Sequence, residues 1–414
     1  MRLPESGAGL RTESPTGANR RLWNSLRART LVPGGMCALS LLFFLASLGT
    51  LRSTRDGIGG DEVSYFALAE GKLGEAGPPY RYRVLVPMVA SVLPWSIPEN
   101  FRVLNFVAIV ATGAGLGMFL SRCGVGGVEM VVGLLAFYAL EPVRYVLSHP
   151  YGVDGLTWLI CLALFWAVTA QSATWFGFAA VIGVAAKEVI LPFLPAYFLG
   201  ELSARRECVR WGFRGPVSGR RETLRVIVAC GGPVLLFLGL RFVLSGGQVD
   251  LNPYVGFGGS TNQMFIARFV AGQGLHAYFS IWWGTFSWIW LVLAFGLAQG
   301  EMSNRRLYGF SVWTVAGIIG AAAFVTYPSR LLFSIFPVAL LLLCQELGRY
   351  RDRGSAFRGA LLGIVGLSLV MVGLRNYGTF GAVIGRIPSI SVAVGCGMVW
   401  LGWRNRQRTG ETKD

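Results

Sequence analysis

Charged side chains are scarce in this sequence of 414 residues: they make up 14% of the chain, whereas hydrophobic residues make up 53%. A soluble domain usually carries about 25% charged residues. Histidine and lysine are also rare, with two and three residues respectively. This composition excludes soluble enzymes and DNA-binding domains as main interpretations, and we expect no nucleic-acid partner.

The cysteines indicate neither a metal site nor a set of disulfide bonds. The seven cysteines are scattered along the chain, and none forms a Cys-x-x-Cys pair. An odd, dispersed set argues against both a disulfide framework and a zinc site. We interpret these residues as small apolar packing side chains.

Long apolar runs are what the chain has in abundance. A helix rises about 1.5 Å per residue, so about 20 apolar residues cross the hydrocarbon core of a bilayer. Several runs are short or contain proline, as half-helices that line a cavity inside a protein do. The sequence therefore predicts an all-α, multi-pass integral membrane protein. The runs lie near 31–51, 84–100, 103–120, 126–146, 153–170, 174–186, 189–202, 223–245, 278–299, 307–326, 331–347, 359–374 and 387–403.

Arginine clusters predict the orientation of these runs. They lie in the first 30 residues, in 200–225, in 348–358 and at the C-terminus. Because basic residues collect in cytoplasmic loops, we place both termini in the cytoplasm and interpret most of the +16 net charge as an orientation signal. An even number of crossings follows, about 12 with a range of 10 to 13. The run 126–146 is our candidate for the one that does not cross, because Glu129, Glu141 and Arg144 crowd it.

Three parts of the chain follow from this topology. Residues 1–30 are expected to be a disordered basic cytoplasmic tail. Residues 31–403 form one membrane domain, and 404–414 form a second basic cytoplasmic tail. The loop 52–83, after the first helix, then lies on the non-cytoplasmic side.

This loop carries the first candidate site residues, the adjacent carboxylates Asp61 and Glu62 in a Gly-rich setting. Such a pair suits a general base, or a base beside a metal or hydroxyl ligand. An ordinary hydrated loop, neutralised by nearby Arg and Lys, is the alternative. The same loop ends in Tyr80-Arg81-Tyr82-Arg83. Arg81 and Arg83 are either interfacial anchors or phosphate ligands.

Later charges lie at the ends or breaks of apolar runs. Asp154 heads a span, where it is either an N-cap or a site residue, and His149 precedes it in the loop Ser148–Asp154. Lys187 and Glu188 interrupt a long apolar stretch, as an internal ion pair or as functional groups at a break. Arg330 follows Tyr327-Pro328-Ser329 at the outer end of a span, where it can anchor the span or hold a lipid phosphate.

These stretches, in this order over roughly residues 30 to 340, resemble the GT-C superfamily of membrane glycosyltransferases. The matching elements are the acidic Asp61-Glu62 motif after a first helix, the aromatic and basic segment from Tyr80 to Pro87, Asp154 at a span start, the Lys187-Glu188 break, and Arg330 followed by Pro337. The resemblance is at the level of the superfamily.

The resemblance implies a donor sugar on a polyprenyl phosphate, a lipid or glycan acceptor, and reaction on the non-cytoplasmic face of a bacterial plasma membrane. It implies Asp61 as base, with Glu62 second. Lys187 and Arg330 would bind phosphate, with Arg81 and Arg83 behind them. It also places Asp154, Glu188 and His149 among the substrate-binding residues. No cofactor is certain; a divalent metal assists some members and not others.

Two other function classes fit the same topology. A transporter or lipid flippase would also have broken helices and membrane charges, but it often shows two related halves, and this sequence shows none. A non-catalytic membrane subunit of an envelope-assembly complex would fit a degenerate fold of the same type.

Overall fold

The described residues of the computed structural model are 61–210, 220–246, 282–300, 302, 304–322, 328–350, 355–377, 393–401 and 404. The predicted first span 31–51, the N-terminal tail, nearly all of the loop 246–277 and nearly all of the C-terminal tail lie outside these residues. The division into tails and one membrane domain stays a prediction.

The described chain consists of helices, short 3-10 helices and turns, and no β-strand occurs among the described residues. The all-helical prediction is therefore confirmed for them. We label the principal helices α1 (Asp61–Ala69), α2 (Leu85–Ser91), α3 (Ile97–Arg122), α4 (Gly127–Ala139), α5 (Glu141–Ser148), α6 (Asp154–Thr169), α7 (Ala173–Ala186), α8 (Phe193–Arg210), α9 (Arg220–Leu244), α10 (Ile289–Gln299), α11 (Arg305–Ala322), α12 (Pro328–Leu332), α13 (Phe336–Gly348) and α14 (Ser355–Tyr377).

Three helical segments of the described chain are long and apolar enough to cross a bilayer. They are Ile97–Arg122, Arg221–Leu244 and Ser329–Gly348, the last of which runs through α12 and α13. The predicted non-crossing run 126–146 forms α4 and α5, which meet at a 54° bend and would make a fourth only if the bent pair is one span, so its failure to cross stays a prediction. Other apolar helices are shorter, so the number of about 12 spans stays a prediction.

Two breaks in the apolar runs have local causes. Leu140 is extended, with φ −73° and ψ 143°, and it separates α4 from α5, whose second residue is Pro142. Lys187 is also extended, with φ −166° and ψ 140°, and it separates α7 from the 3-10 helix Glu188–Ile190. The break predicted at Lys187-Glu188 is therefore present.

The helices surround one large apolar core, in which Phe333 is a central contact. Its ring lies 4.7 Å from that of Trp158 on α6 and 5.2 Å from that of Phe336 at the start of α13. Phe333 follows α12 directly, so these contacts fix α12 against the rest of the bundle.

A second, smaller core lies at the end of α3 that begins with Ile97, which we call the Ile97 end. Tyr65 of α1 and Val86 of α2 pack there against Phe101 of α3 and Val153. The other end of α3 is called the Arg122 end. The smaller core holds α1 and α2 across the Ile97 end of the bundle, where most of the predicted site residues are found.

Candidate active site

Asp61 and Glu62 form the first turn of α1. Carboxylates are favoured there because the helix dipole places partial positive charge at the N-terminus. Tyr65, one turn later on the same face, is buried in the smaller core. Packing of this helix therefore fixes the turn that carries both carboxylates.

Both oxygens of the Asp61 carboxylate accept hydrogen bonds. The Tyr80 hydroxyl donates to Oδ1 at 2.5 Å, and Nη2 of Arg330 donates to Oδ2 at 3.3 Å. The Asp61 side chain is nevertheless 28% exposed. Each carboxylate oxygen has two lone pairs, so Asp61 retains room for a further donor.

Arg330 joins two carboxylates that are far apart in the sequence. Its Nη1 donates to Oδ2 of Asp154 at 3.1 Å, while its Nη2 reaches Asp61. The guanidinium carbon lies 5.3 Å from the ring centre of Tyr145, within range of a cation–π contact. Arg330 belongs to α12, which Phe333 anchors in the core, so its position rests on core packing.

Asp154 is the first residue of α6, and its side chain is 4% exposed. Its carboxylate forms an ion pair with the Lys187 ammonium in addition to its bond with Arg330. The N-cap position belongs to Val153, which makes no side-chain cap. The alternative interpretation of Asp154 as an N-cap is therefore wrong; this carboxylate bonds two cations instead.

Asn105 on α3 positions the loop that leads into Asp154. Its Nδ2 donates to the carbonyl oxygens of Pro150 and Gly152, each at 2.9 Å, and its Oδ1 accepts from the Gly155 amide at 3.3 Å. A Cβ on Gly155 would lie 2.7 Å from that Oδ1, so this close approach requires glycine. The α3 helix thus fixes the start of α6.

Lys187 and Glu188 are adjacent but bind different partners. The ammonium of Lys187 pairs with Asp154, whereas the carboxylate of Glu188 pairs with Arg83. Lys187 is extended, and a strand-like backbone directs successive side chains to opposite sides. The break after α7 therefore supplies one cation and one anion to two parts of the same cluster.

Arg83 is buried, with 8% of its surface exposed, and three of its nitrogens are engaged. Nε donates to Oε2 of Glu188 at 2.9 Å, Nη2 donates to Oε1, and Nη1 donates to the Tyr65 hydroxyl at 2.6 Å. A bidentate pair of this kind fixes geometry as well as charge. Arg83 therefore connects the segment before α2 with α1 and with the break after α7.

The remaining predicted residues lie at the margin. Nε of Arg81 donates to the Ala76 carbonyl at 3.0 Å and so is directed to its own loop. The His149 ring stacks on that of Tyr145, with the two ring centres 4.7 Å apart, so it shares this ring with Arg330. Burial lowers the pKa of His149, so this imidazole is neutral at pH 7.

Glu62 differs from an ordinary surface glutamate in its protonation. Burial raises the pKa of Glu62, and the neighbouring charge of Asp61 raises it further, against the opposing effect of Arg330. Glu62 therefore holds its proton to a higher pH than a free glutamate does.

We call the connected group the Asp61 cluster. It consists of Asp61, Tyr80, Arg83, Asp154, Lys187, Glu188 and Arg330. Among the described residues, no three His, Cys, Asp or Glu side chains are grouped so as to hold a metal ion. Six of the nine predicted site residues are in the cluster, while their roles in binding and catalysis stay predictions.

Three tyrosines near Asp61 were not predicted as site residues. Tyr65 lies four residues after Asp61, so helical spacing alone places the two on one face. Tyr80 precedes Arg81 in the sequence, and nothing in its spacing links it to Asp61. Tyr145 contacts Arg330 across 185 positions, and no local pattern could have indicated this contact.

Comparison with known proteins adds a similarity to solved structures. No protein-family model matches the sequence, and no curated protein matches it. Among solved structures, the chain is similar to the crystal structure of ArnT from Cupriavidus metallidurans bound to undecaprenyl phosphate. The similarity covers 94% of this chain and 76% of that one, at a TM-score of 0.47 and 14% sequence identity.

Proposed function

We propose that this chain is a membrane glycosyltransferase of the GT-C type. It would transfer a sugar from a polyprenyl phosphate to a hydroxyl of a lipid or glycan acceptor. The observation that carries the proposal is the shared cation: Arg330 contacts Asp61 and Asp154, and Lys187 contacts Asp154. A base for the acceptor and cations for a phosphate thereby lie within one connected group.

Asp61 is the proposed base. It is partly exposed, and it lies on a helix that the smaller core holds in place. A general base must come within hydrogen-bond reach of the proton it removes, so an exposed and fixed carboxylate is suited to the task. Glu62 is the second candidate, because burial raises the pKa of Glu62 and so keeps more of it protonated.

Arg330 and Lys187 are the proposed phosphate ligands. A phosphate that enters the cluster can take over donors from Arg330 while Asp154 keeps its contact with Lys187, and the reverse exchange is equally open. Cations placed where charge develops stabilise the transition state most when water is excluded. Arg83 is the weaker phosphate candidate, because Glu188 and Tyr65 already engage it.

The reaction balances with these groups alone. The Asp61 carboxylate accepts the proton of the acceptor hydroxyl, and the hydroxyl oxygen attacks the anomeric carbon. The bond from that carbon to the phosphate oxygen breaks, and the polyprenyl phosphate leaves with the electron pair and inversion at carbon. Arg330 and Lys187 stabilise the charge that this phosphate gains.

The finer identity of the substrates is part of the same proposal. We propose a mannose- or arabinose-like sugar, an envelope glycan or lipid as acceptor, and reaction on the non-cytoplasmic face of a bacterial plasma membrane. We place both termini in the cytoplasm, since the arginine clusters mark that side.

The test is sugar transfer by the purified full chain in lipid nanodiscs, supplied with polyprenyl-phosphate sugars of several kinds and membrane lipid acceptors. We expect transfer by the wild type and a loss of about 1,000-fold in Asp61→Asn, since general-base catalysis contributes 10²–10⁴-fold. The matched control is Glu70→Gln, which changes an exposed carboxylate just beyond the same helix. Full activity of Asp61→Asn, or flipping of the donor in vesicles without transfer, would contradict the proposal.

A further inference from the structure

The hydrogen bond between Tyr80 and Asp61 is short and joins two different segments. Tyr80 begins the 3-10 helix Tyr80–Tyr82, and its hydroxyl donates to Oδ1 of Asp61 at 2.5 Å across 19 positions. Bonds from a hydroxyl to a carboxylate are charge-assisted and roughly twice as strong as neutral ones. This bond therefore restrains the carboxylate that we propose as the base.

The ring of Tyr80 is held on two sides. It meets the buried ring of Tyr65 edge-on at 5.5 Å, and the guanidinium carbon of Arg83 lies 5.3 Å from its centre. The 3-10 helix itself is held by Arg241 of α9, whose guanidinium carbon lies 4.5 Å from the ring centre of Tyr82. The Tyr80 hydroxyl is thus presented to Asp61 from a well-anchored segment.

The Tyr80 hydroxyl keeps its proton under all ordinary conditions. Burial raises the pKa of Tyr80, and the hydrogen bond to the Asp61 carboxylate raises it further. Tyr80 is therefore a permanent donor to Asp61 and carries no charge of its own.

Tyr80 and Arg330 differ in what a phosphate would do to them. Arg330 is a cation and is the donor that an incoming phosphate would draw away from Asp61. Tyr80 is neutral, and its ring is fixed by Tyr65 and Arg83. A phosphate therefore attracts Tyr80 much less than it attracts Arg330. Of the two donors to Asp61, Tyr80 is the one that stays when Arg330 changes partner.

We propose that Tyr80 is the positioning residue of the base: it holds Oδ1 of Asp61 and leaves Oδ2 to face the acceptor hydroxyl once Arg330 binds the phosphate. The proposal rests on the function proposed above. Tyr80 also favours the charged form of the carboxylate, because a donor hydrogen bond stabilises an anion. Loss of the hydroxyl should therefore alter both the orientation of the base and the pH at which it becomes active.

Other ionisable groups surround Asp61. On α1 they are Glu62 and Tyr65; before α2, Arg83; on α5, Tyr145; on α6, Asp154; and on α12, Arg330. Lys187 and Glu188 act through Asp154 and Arg83. A useful experiment must therefore change the Tyr80 hydroxyl and leave these charges in place.

Tyr80→Phe does so, and Tyr65→Phe is the matched control, since it removes a neighbouring hydroxyl that accepts a hydrogen bond from Arg83 and makes none with Asp61 within the described part of the chain. For Tyr80→Phe we expect kcat to fall about tenfold, while the KM for the donor stays unchanged. We also expect the acid limb of the profile of kcat against pH to move about one pH unit higher. We expect no movement of this limb in Tyr65→Phe. An unmoved limb in Tyr80→Phe, or an equal movement in Tyr65→Phe, would overturn the proposal.

Incorporation of 3-fluorotyrosine at position 80 covers the case in which Tyr80→Phe does not fold. The ring and hydroxyl remain, but the hydroxyl is more acidic and a stronger donor, so the acid limb should move to lower pH. Movement to higher pH, or none, would count against Tyr80.

A spectroscopic readout separates this proposal from the function on which it rests. The infrared carboxyl band that disappears in Asp61→Asn reports the protonation of Asp61 without any turnover. In Tyr80→Phe this band should persist to a pH about one unit higher than in the wild type. If the carboxyl band shifts in Tyr80→Phe but neither the wild type nor any variant transfers sugar, the effect of Tyr80 on Asp61 stands and the proposed transferase function is refuted. An unshifted band would refute the role of Tyr80 whatever the enzyme does.

Discussion

At the Ile97 end of the bundle, Arg330 bonds carboxylates from two different helices, and one of these carboxylates also binds Lys187. At the Arg122 end, the buried carboxylate of Glu129 on α4 lies 2.7 Å from Arg358 on α14. Glu129 is 1% exposed in its side chain, whereas Asp61 is 28% exposed. The first arrangement shares cations between a partly exposed carboxylate, Asp61, and a buried one, Asp154. The second joins two neighbouring helices through a single buried carboxylate.

The difference concerns what happens when a partner leaves. If a ligand draws Arg330 away, Asp154 keeps Lys187 and Asp61 keeps Tyr80, so no buried charge is stranded. If Arg358 left Glu129, a fully buried carboxylate would lose a charge partner, at a cost of several kcal/mol. Shared cations therefore suit a place where a charged ligand comes and goes, and the Glu129–Arg358 pair suits a permanent contact between helices.

The largest expected effect comes from Asp154→Ala, which removes a carboxylate that is 4% exposed and binds both Lys187 and Arg330. Removing one partner of a buried pair typically costs 3–5 kcal/mol of stability. We expect a loss of about that size in unfolding of the protein in detergent, together with loss of transfer. Wild-type stability in Asp154→Ala would show that the two cations do not depend on this carboxylate.

Glu129→Ala tests the other side of the comparison. We expect a stability loss of about 3 kcal/mol, because Arg358 is left half-buried beside an apolar core. The kcat and the donor KM of the folded fraction should match the wild type, since the Arg122 end lies away from the Asp61 cluster. If kcat fell in proportion to stability in Glu129→Ala and in other variants at the Arg122 end, the two ends of the bundle would not differ in function.

Arg330→Lys keeps the positive charge but loses the planar guanidinium group, whose two terminal nitrogens contact two carboxylates at once. Lysine acts as a point charge and does not replace a bidentate arginine. We expect donor affinity, measured as a Kd for the polyprenyl-phosphate lipid, to weaken about tenfold, or about 1.4 kcal/mol. Arg358→Lys, the same change at the Arg122 end, should leave this Kd unaltered; equal weakening in both variants would argue against phosphate binding at Arg330.

The smallest effect separates two arginines in the same short segment. Arg83→Lys breaks the bidentate contact with Glu188 and should lower kcat about threefold, since the segment that presents Tyr80 loosens. Arg81→Lys alters only a bond to the Ala76 carbonyl, and kcat should stay within about twofold of the wild type. A larger loss in Arg81→Lys than in Arg83→Lys would reverse our assignment.

The sequence singles out Asp61 because that residue forms an acidic pair with Glu62 in a Gly-rich loop. It singles out Asp154, Lys187 and Arg330 because each charge interrupts or borders an apolar run. Such charges are expensive in a membrane and are therefore conspicuous in the sequence. It could not separate Arg81 from Arg83, since that choice depends on a 3-10 helix and on Glu188, 105 positions away. It also left Asp154 open as an N-cap, because the alternative partners come from distant segments.

The number of spans was harder to predict than the helical class. Hydropathy detects apolar composition, but a break such as the one at Leu140 turns one run into two helices that meet at 54°. Helices of 16 and 14 residues, such as α6 and α7, are largely apolar yet shorter than a full crossing. Whether each crosses depends on tilt and on its neighbours, which a single run of sequence does not encode.

The bond between Arg330 and Asp61 joins positions 269 residues apart. Chains are made and inserted from the N-terminus, so α1 and α6 are in place long before α12 is synthesised. During that interval Asp154 can pair with Lys187 and Asp61 can bond Tyr80, but the bridge between the two carboxylates is missing. Completion of the cluster is therefore a late event in biogenesis, and a chain truncated before α12 would insert its membrane helices without assembling the site.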